Sequence, residues 1–175
     1  MSLRYTSFLL ACFLALATGC SSDVLTVERD FTAQTITYGV PPAAADAATD
    51  VVRSVQDFGL INQLNSYGIA EDEVESVTVA AVRAQLIDPR DSLTFAEVSR
   101  GELWLVSAGL EPVLIAEKPA GADGVTADFL LTEPDLEGYL ISGSVDAIFR
   151  VETTVPPGPD VEVAFDITYR IVGGV

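Results

Sequence analysis

Histidine is absent from all 175 residues. That removes the commonest general base and the commonest transition-metal ligand. No Ser-His or Cys-His pair can form. A zinc site would have to be built from carboxylates alone, which is unusual. Lysine is nearly missing too, with Lys118 the single example. Cysteine is limited to Cys12 and Cys20, and tryptophan to Trp104. Basic residues number 9 against 26 acidic ones. Such a surface repels nucleic acid and anionic headgroups, and it attracts divalent cations or basic partners. An acidic, lysine-poor composition speaks to solubility before it speaks to function. No Gly-rich phosphate loop, nucleophile elbow or metal motif is present. Asn62 and Asn65 stand outside any Asn-x-Ser/Thr sequon.

What is there begins with a targeting pattern. Arg4 supplies a positive charge, an apolar run follows over residues 8–17, and small residues lead into Cys20. This charged, apolar, small-residue layout is that of a secretory signal. A run of about ten residues is too short for a transmembrane helix, which needs roughly twenty. Residues 1–19 therefore read as the signal.

The stretch Leu14-Ala15-Leu16-Ala17-Thr18-Gly19-Cys20 resembles the bacterial lipobox, a Leu-Ala-Gly-Cys-like tetrapeptide. Ala17 stands where leucine is usual, with Leu16 one place earlier. The resemblance implies a thioether-linked diacylglycerol on Cys20, cleavage before it, and acylation of the new amino terminus. The residues after Cys20, Ser21 and Ser22, include no directly following Asp. In enterobacteria that pattern implies the outer membrane. Once the signal leaves with Cys12, Cys20 is the only cysteine, so no internal disulfide competes for it. The mature body keeps 26 acidic and 8 basic residues, because only Arg4 is lost, for a formal charge of −18.

Residues 20–23 form a short lipidated tether, and 24–175 are expected to be a single domain. A chain of that size buries about 70% of its unfolded surface and needs no staple to fold. Residues 24–40 read as a long strand with a parity switch at 33–35, since Leu25, Val27 and Phe31 share one parity and Ile36, Tyr38 and Val40 the other. Val51, Val55 and Phe58 fall at helical spacing, so one short helical segment is expected near residues 43–66. Gly59 interrupts it, Leu60, Ile61 and Leu64 begin a second turn, and Gly68 ends that. From Ser76 the chain reads β. Val77 and Val79 alternate, then Val82, Ala84 and Leu86 take the opposite parity, which puts a bulge near Ala80 and Ala81. Residues 102–108 are apolar on both faces, as in a strand covered on both sides.

Residues 139–155 and 161–172 alternate most clearly, each with one apolar face. They are expected to pair as neighbours, with Arg150 opposite Asp166 and Asp146 opposite Arg170. About seven short strands at this spacing argue for a mainly β fold, an antiparallel β-sandwich of Ig-like or related type.

The acidic group Glu71, Asp72, Glu73 and Glu75, and the turns at 88–91 and 133–137, could bind calcium. None has the EF-hand spacing, and charge runs are usually hydrated turns. Trp104 is either a sugar-stacking platform or, on its strand's two apolar faces, a core or helix-covered residue. Paired carboxylates for a glycosidase carry no weight among so many acidic residues. No catalytic, cofactor-binding or metal-ligating residue is assigned. Cys20 is the one assigned position, as the site of lipid attachment. The body resembles small envelope lipoproteins of Bacteroidetes-type bacteria in "ESVTVAAVRAQL" and "GELWLVSAGLEPVLIAE", which implies no particular activity. The expectation is a membrane-anchored, non-enzymatic envelope lipoprotein with a binding or accessory role toward a protein or glycan partner, and with no nucleic acid involved. The alternative is a small-ligand or calcium-binding module.

Overall fold

The computed structural model describes residues 26–32, 35–56, 60–88, 93–132, 134–140 and 144–174. The signal, Cys20 and the tether lie outside the described residues. The strands are β1 (Thr26–Thr32), β2 (Ile36–Gly39), β3 (Thr49–Gln56), β4 (Val74–Ile87), β5 (Val98–Val106), β6 (Val113–Glu117), β7 (Thr126–Asp128), β8 (Leu130–Leu131), β9 (Ser144–Thr153) and β10 (Glu162–Gly174). Two short helices are α1 (Leu60–Ser66) and α2 (Glu137–Leu140), and Glu71–Glu73 form a 3₁₀ turn. All strand pairs are antiparallel, and they make two five-stranded sheets. The fold is a mainly β, two-layer antiparallel sandwich.

In the first sheet β10 is central. β4 lies on one side of it, with β7 beyond, and β1 and β2 share the other side. Thr32 faces Thr168, and Ile36 faces Phe165. The edge therefore advances by one residue more than β10 does. The parity switch expected at 33–35 falls in this interval, where Ala33 and Gln34 lie outside the described residues. β4 behaves likewise: Thr168 faces Ala81 and Tyr169 faces Val79, so Ala80 is the bulge. Val77 and Val79 before it, and Val82, Ala84 and Leu86 after it, are all buried. The bulge lets one long strand keep its apolar residues inward across a change of parity.

The second sheet runs β3-β9-β5-β6-β8. This corrects the expected pairing of the last two strands, because β9 and β10 belong to different sheets. Arg150 is paired with Asp50 and Glu102, not Asp166, and Asp146 with Ser54 and Val106, not Arg170. Asp166 faces Arg83 instead. The physical reason is that each strand has one apolar face, and burying two such faces against each other satisfies both as well as edge-to-edge pairing does. The Phe149 and Phe165 rings meet across the layers with centroids 4.9 Å apart. Pro156, Pro157 and Pro159 in the connection fix φ and remove donors, which suits a crossing between sheets better than a tight hairpin.

The helical segment expected near 43–66 is α1, which occupies only the end of that range. Strand β3 takes the middle, and pairs with β9 from Thr49 opposite Val151 to Gln56 opposite Ser144. The β-branched Val51 and Val52 suit that strand, and pairing with β9 outweighs a helical spacing of three residues. Gly68 ends α1 with φ +73. The amide of Ile69 donates to the Leu64 carbonyl and that of Gly68 to Asn65. This is a Schellman end, with buried Leu64 and Ile69 as its apolar contact. At the same end of the sandwich β10 closes on the start of β4. A Cβ on Gly173 would lie 2.8 Å from the Glu73 carbonyl oxygen, so only glycine fits.

The core is one cluster spanning both layers. Phe165 sits at its centre, with ring centroids 5.6 Å from Tyr38, 5.5 Å from Phe129 and 4.9 Å from Phe149. Tyr38 and Tyr169 are buried, and the Tyr38 hydroxyl has no hydrogen-bond partner among the described residues. Burial pushes both hydroxyls up from the ordinary tyrosine value of 10.0, Tyr38 against a smaller opposing pull from Arg53. The folded state thus holds both neutral while the unfolded chain ionises them. Stability from this source is complete below pH 10 and is lost as pH rises beyond it. Each buried tyrosine is expected to cost about 1.4 kcal/mol per pH unit there. Urea titrations at pH 9, 10 and 11 check this. Tyr38→Phe should lessen the alkaline slope by about half, and an unchanged slope would refute the assignment.

Candidate functional site

The acidic turns come first, because the sequence singles them out. Glu71, Asp72, Glu73 and Glu75 are exposed. The Glu73 carboxylate accepts the Ala70 amide at 2.7 Å. Asp88 accepts the Leu93 amide at 2.9 Å. Asp135 accepts the amides of Val77 at 3.3 Å and Glu137 at 3.1 Å. Carboxylates in all three turns thus satisfy backbone donors at strand and helix ends. Asp91 and Glu133 lie outside the described residues. Among the described residues no group of three or more Asp, Glu or Cys side chains is placed to hold a metal ion.

Chemistry concentrates instead on the outer face of the second sheet. Trp104 is half-buried on that face, at the middle of β5. The expectation of a core or helix-covered tryptophan is therefore corrected. Leu103 and Leu105 take the inner face and are fully buried, while Trp104 and Val106 point outward. No element covers them among the described residues. The apolar outer face of this strand packs sideways, against Ile148 and Leu114 on the neighbouring strands. The available sequence signal was Glu102, two residues before Trp104 and so on the same face.

Trp104 is held in a polar frame. Its indole N–H donates to Glu102 Oε2 at 2.9 Å. The Arg150 Cζ lies 5.7 Å from the centre of its ring, a cation–π distance. Arg150 in turn grips Asp50 with two bonds, Nε to Oδ1 at 2.7 Å and Nη2 to Oδ2 at 2.8 Å. Arg100 donates to Glu102 at 2.6 Å and reaches Glu152 at 3.5 Å. The Arg150 guanidinium hydrogen-bonded to Asp50 holds that carboxyl below the usual carboxylate range. Partial burial pushes Glu102 up, but bonds from Arg100 and Trp104 outweigh it and leave the group lowered. Both carboxylates are thus charged at neutral pH and belong to an ionic frame, so neither is set up as a proton donor.

Beside this frame runs a groove. One cavity of about 300 Å³ is lined by Trp104, Val106, Pro112, Ile148 and Arg150. A second, of about 350 Å³, is lined by Val106, Ser107, Ala108, Ser144 and Asp146. They share Val106 and so adjoin along β5 and β9. Aromatic and aliphatic walls with a few fixed polar groups suit ligand binding.

No family model matches the chain, and no curated protein matches it. Among solved structures it is similar to a chain of Desmodium yellow mottle tymovirus, at 9% identity over 85% of this chain and 90% of that one, with a TM-score of 0.28. It is similar as well to a chain of turnip yellow mosaic virus, at 11% identity over 86% and 95%, with a TM-score of 0.29. Likeness at that level carries no argument about function.

Proposed function

We propose that the protein is a lipid-anchored component of a bacterial cell envelope that works by binding, with Cys20 as the attachment residue. The observation that carries this reading is the charged, apolar, small-residue pattern ending in Cys20. Ser21 and Ser22 after it support the outer membrane. The absence of histidine supports binding over catalysis, as does the commitment of Asp50 and Glu102 to ion pairs.

Geometry adds a consequence for how the body would sit. β1 starts at Thr26, opposite Gly174 and at the end of the sandwich where β4 begins. Thr26 is six positions after Cys20, and an extended chain covers roughly 3.3–3.6 Å per residue, so the tether reaches about 20 Å at most. The body would therefore lie close to the bilayer. Mass spectrometry of the mature amino terminus tests the reading. The expected species begins at Cys20 and carries a diacylglycerol and an amide-linked acyl chain. A mature protein with unmodified Cys20 would overturn it.

A further inference from the structure

We infer that the outer face of the β3-β9-β5-β6 sheet is a binding site for a neutral glycan, with Trp104 as its stacking platform. The inference rests on the binding reading above but not on the lipid.

Strand pairing arranges this face in rows. Val52 faces Ile148, Ile148 faces Trp104, and Trp104 faces Leu114. These four make an unbroken apolar row across four strands. At about 4.8 Å per strand the row is about 14 Å long. Val52 is 51% exposed, so the row is open to a ligand at its β3 end. The adjoining row is polar throughout: Asp50 faces Arg150, Arg150 faces Glu102, and Glu102 faces Glu117. On the other side Asp146 faces Ser54 and Val106.

A sugar ring has a C–H face and a hydroxyl rim. The face packs on an aromatic ring, and the rim needs donors and acceptors beside it. This surface offers both within one row of each other. Arg150 Nη1 is not used in its grip on Asp50 and can donate; Glu102, bonded to Arg100 and Trp104, and Asp146, bonded to Ser54, keep lone pairs that can accept. The platform is also fixed before any ligand arrives, since Glu102 holds the indole edge and Arg150 holds the ring. Such preorganisation lowers the ordering cost of binding.

Charge excludes several ligand classes. The face carries the carboxylates of Asp50, Glu102, Glu117, Asp146 and Glu152 against the guanidiniums of Arg100 and Arg150. That excess repels phosphate, sulfated or uronic glycans and nucleic acid. It equally opposes a second copy packed face to face, which would set these carboxylates against their own kind.

The chain has one tryptophan, so its emission reports this face alone. The full chain, kept in a detergent without a sugar headgroup, is titrated with hexamers of β-1,4-linked glucose and of β-1,4-linked N-acetylglucosamine, and with heparin and polylysine. A saturable emission change with at least one neutral hexamer, and none with heparin, is expected. Calorimetry with Arg150→Met and with Trp104→Leu should show affinity reduced by about tenfold or more, with melting curves confirming that both variants fold. No response to either neutral hexamer overturns the inference. A response to polylysine alone reassigns the face to a basic protein partner. A dimer in sedimentation that Val52→Glu dissociates reassigns it to self-association. An unlipidated Cys20 would leave this titration unchanged, so the two readings fail separately.

Discussion

Replacing Phe165 with alanine is expected to destabilise the fold by about 3–5 kcal/mol, at the upper end of that range. Truncating a buried phenylalanine loses its transfer free energy and leaves a cavity whose cost depends on how far the walls can collapse. Here they cannot move far. Phe165 lies on β10, which is held on both sides, by Ile36 of β2 and by Ala84 of β4. Its ring neighbour Phe149 lies on β9, held by Val51 of β3 and Leu103 of β5. Tyr38 and Phe129 close the remaining sides. Domains of this kind are stable by roughly 5–15 kcal/mol, so the loss is a large share of the total. Urea unfolding followed by far-UV circular dichroism gives the number. Phe165→Leu, which keeps most of the volume, should cost less than half as much. A Phe165→Ala penalty below about 1 kcal/mol would mean that the two layers do not meet at this ring.

The same ring pair explains what the sequence could and could not convey. Alternation along 161–172 names Phe165 as inward, and alternation along 139–155 does the same for Phe149. Both readings are right. The parity switches near 33–35 and at Ala80 are legible too, because a period of two leaves no other way to keep both halves of a strand facing inward. Alternation is silent on which strands are neighbours. It places an apolar face against something, and a facing sheet serves as well as an adjacent strand. The charges on β9 fit either partner: Arg150 needed an acid across the strand, and both Asp166 and Asp50 offer one. The structure gives it Asp50, which lies in a segment whose valine spacing reads as helix. β3 was therefore hidden twice, by its own i, i+4 pattern and by a partner that had another acceptable mate.

The candidate site was legible only in its parts. Trp104 and Glu102 share a parity, and that alone points the ring outward. What outweighed it was the run of apolar residues on both faces of β5, which normally signals a covered strand. The covering here is lateral, from Leu114 and Ile148, which lie ten and 44 residues further along the chain. The acidic turns read as hydrated turns, and composition cannot show their further use. They stand out in composition, yet Glu73, Asp88 and Asp135 are used to cap backbone amides.

Cys20→Ser is expected to move the protein from the membrane fraction to the soluble fraction. A serine hydroxyl cannot form the thioether, so the variant carries no diacylglycerol. Each buried methylene contributes about 0.8 kcal/mol, and one acyl chain alone gives only marginal, reversible attachment. A residue carrying several chains is anchored stably, so the variant should lose most of its membrane-bound fraction. No helix among the described residues is long and apolar enough to cross a membrane. The formal charge of −17 opposes binding to anionic headgroups. Because the proposed attachment is apolar, a high-salt wash that screens surface charge should leave the wild type in the pellet. Cys12→Ser serves as the control: it sits inside the apolar run and should change nothing. The readout is twofold, fractionation after a salt wash and incorporation of a labelled fatty acid. The uncut variant keeps an apolar run of about ten residues, half of what a spanning helix needs and a weak hold at most, so the label is the deciding measurement. A Cys20→Ser protein that still incorporates fatty acid would place the lipid elsewhere and remove Cys20 from the account.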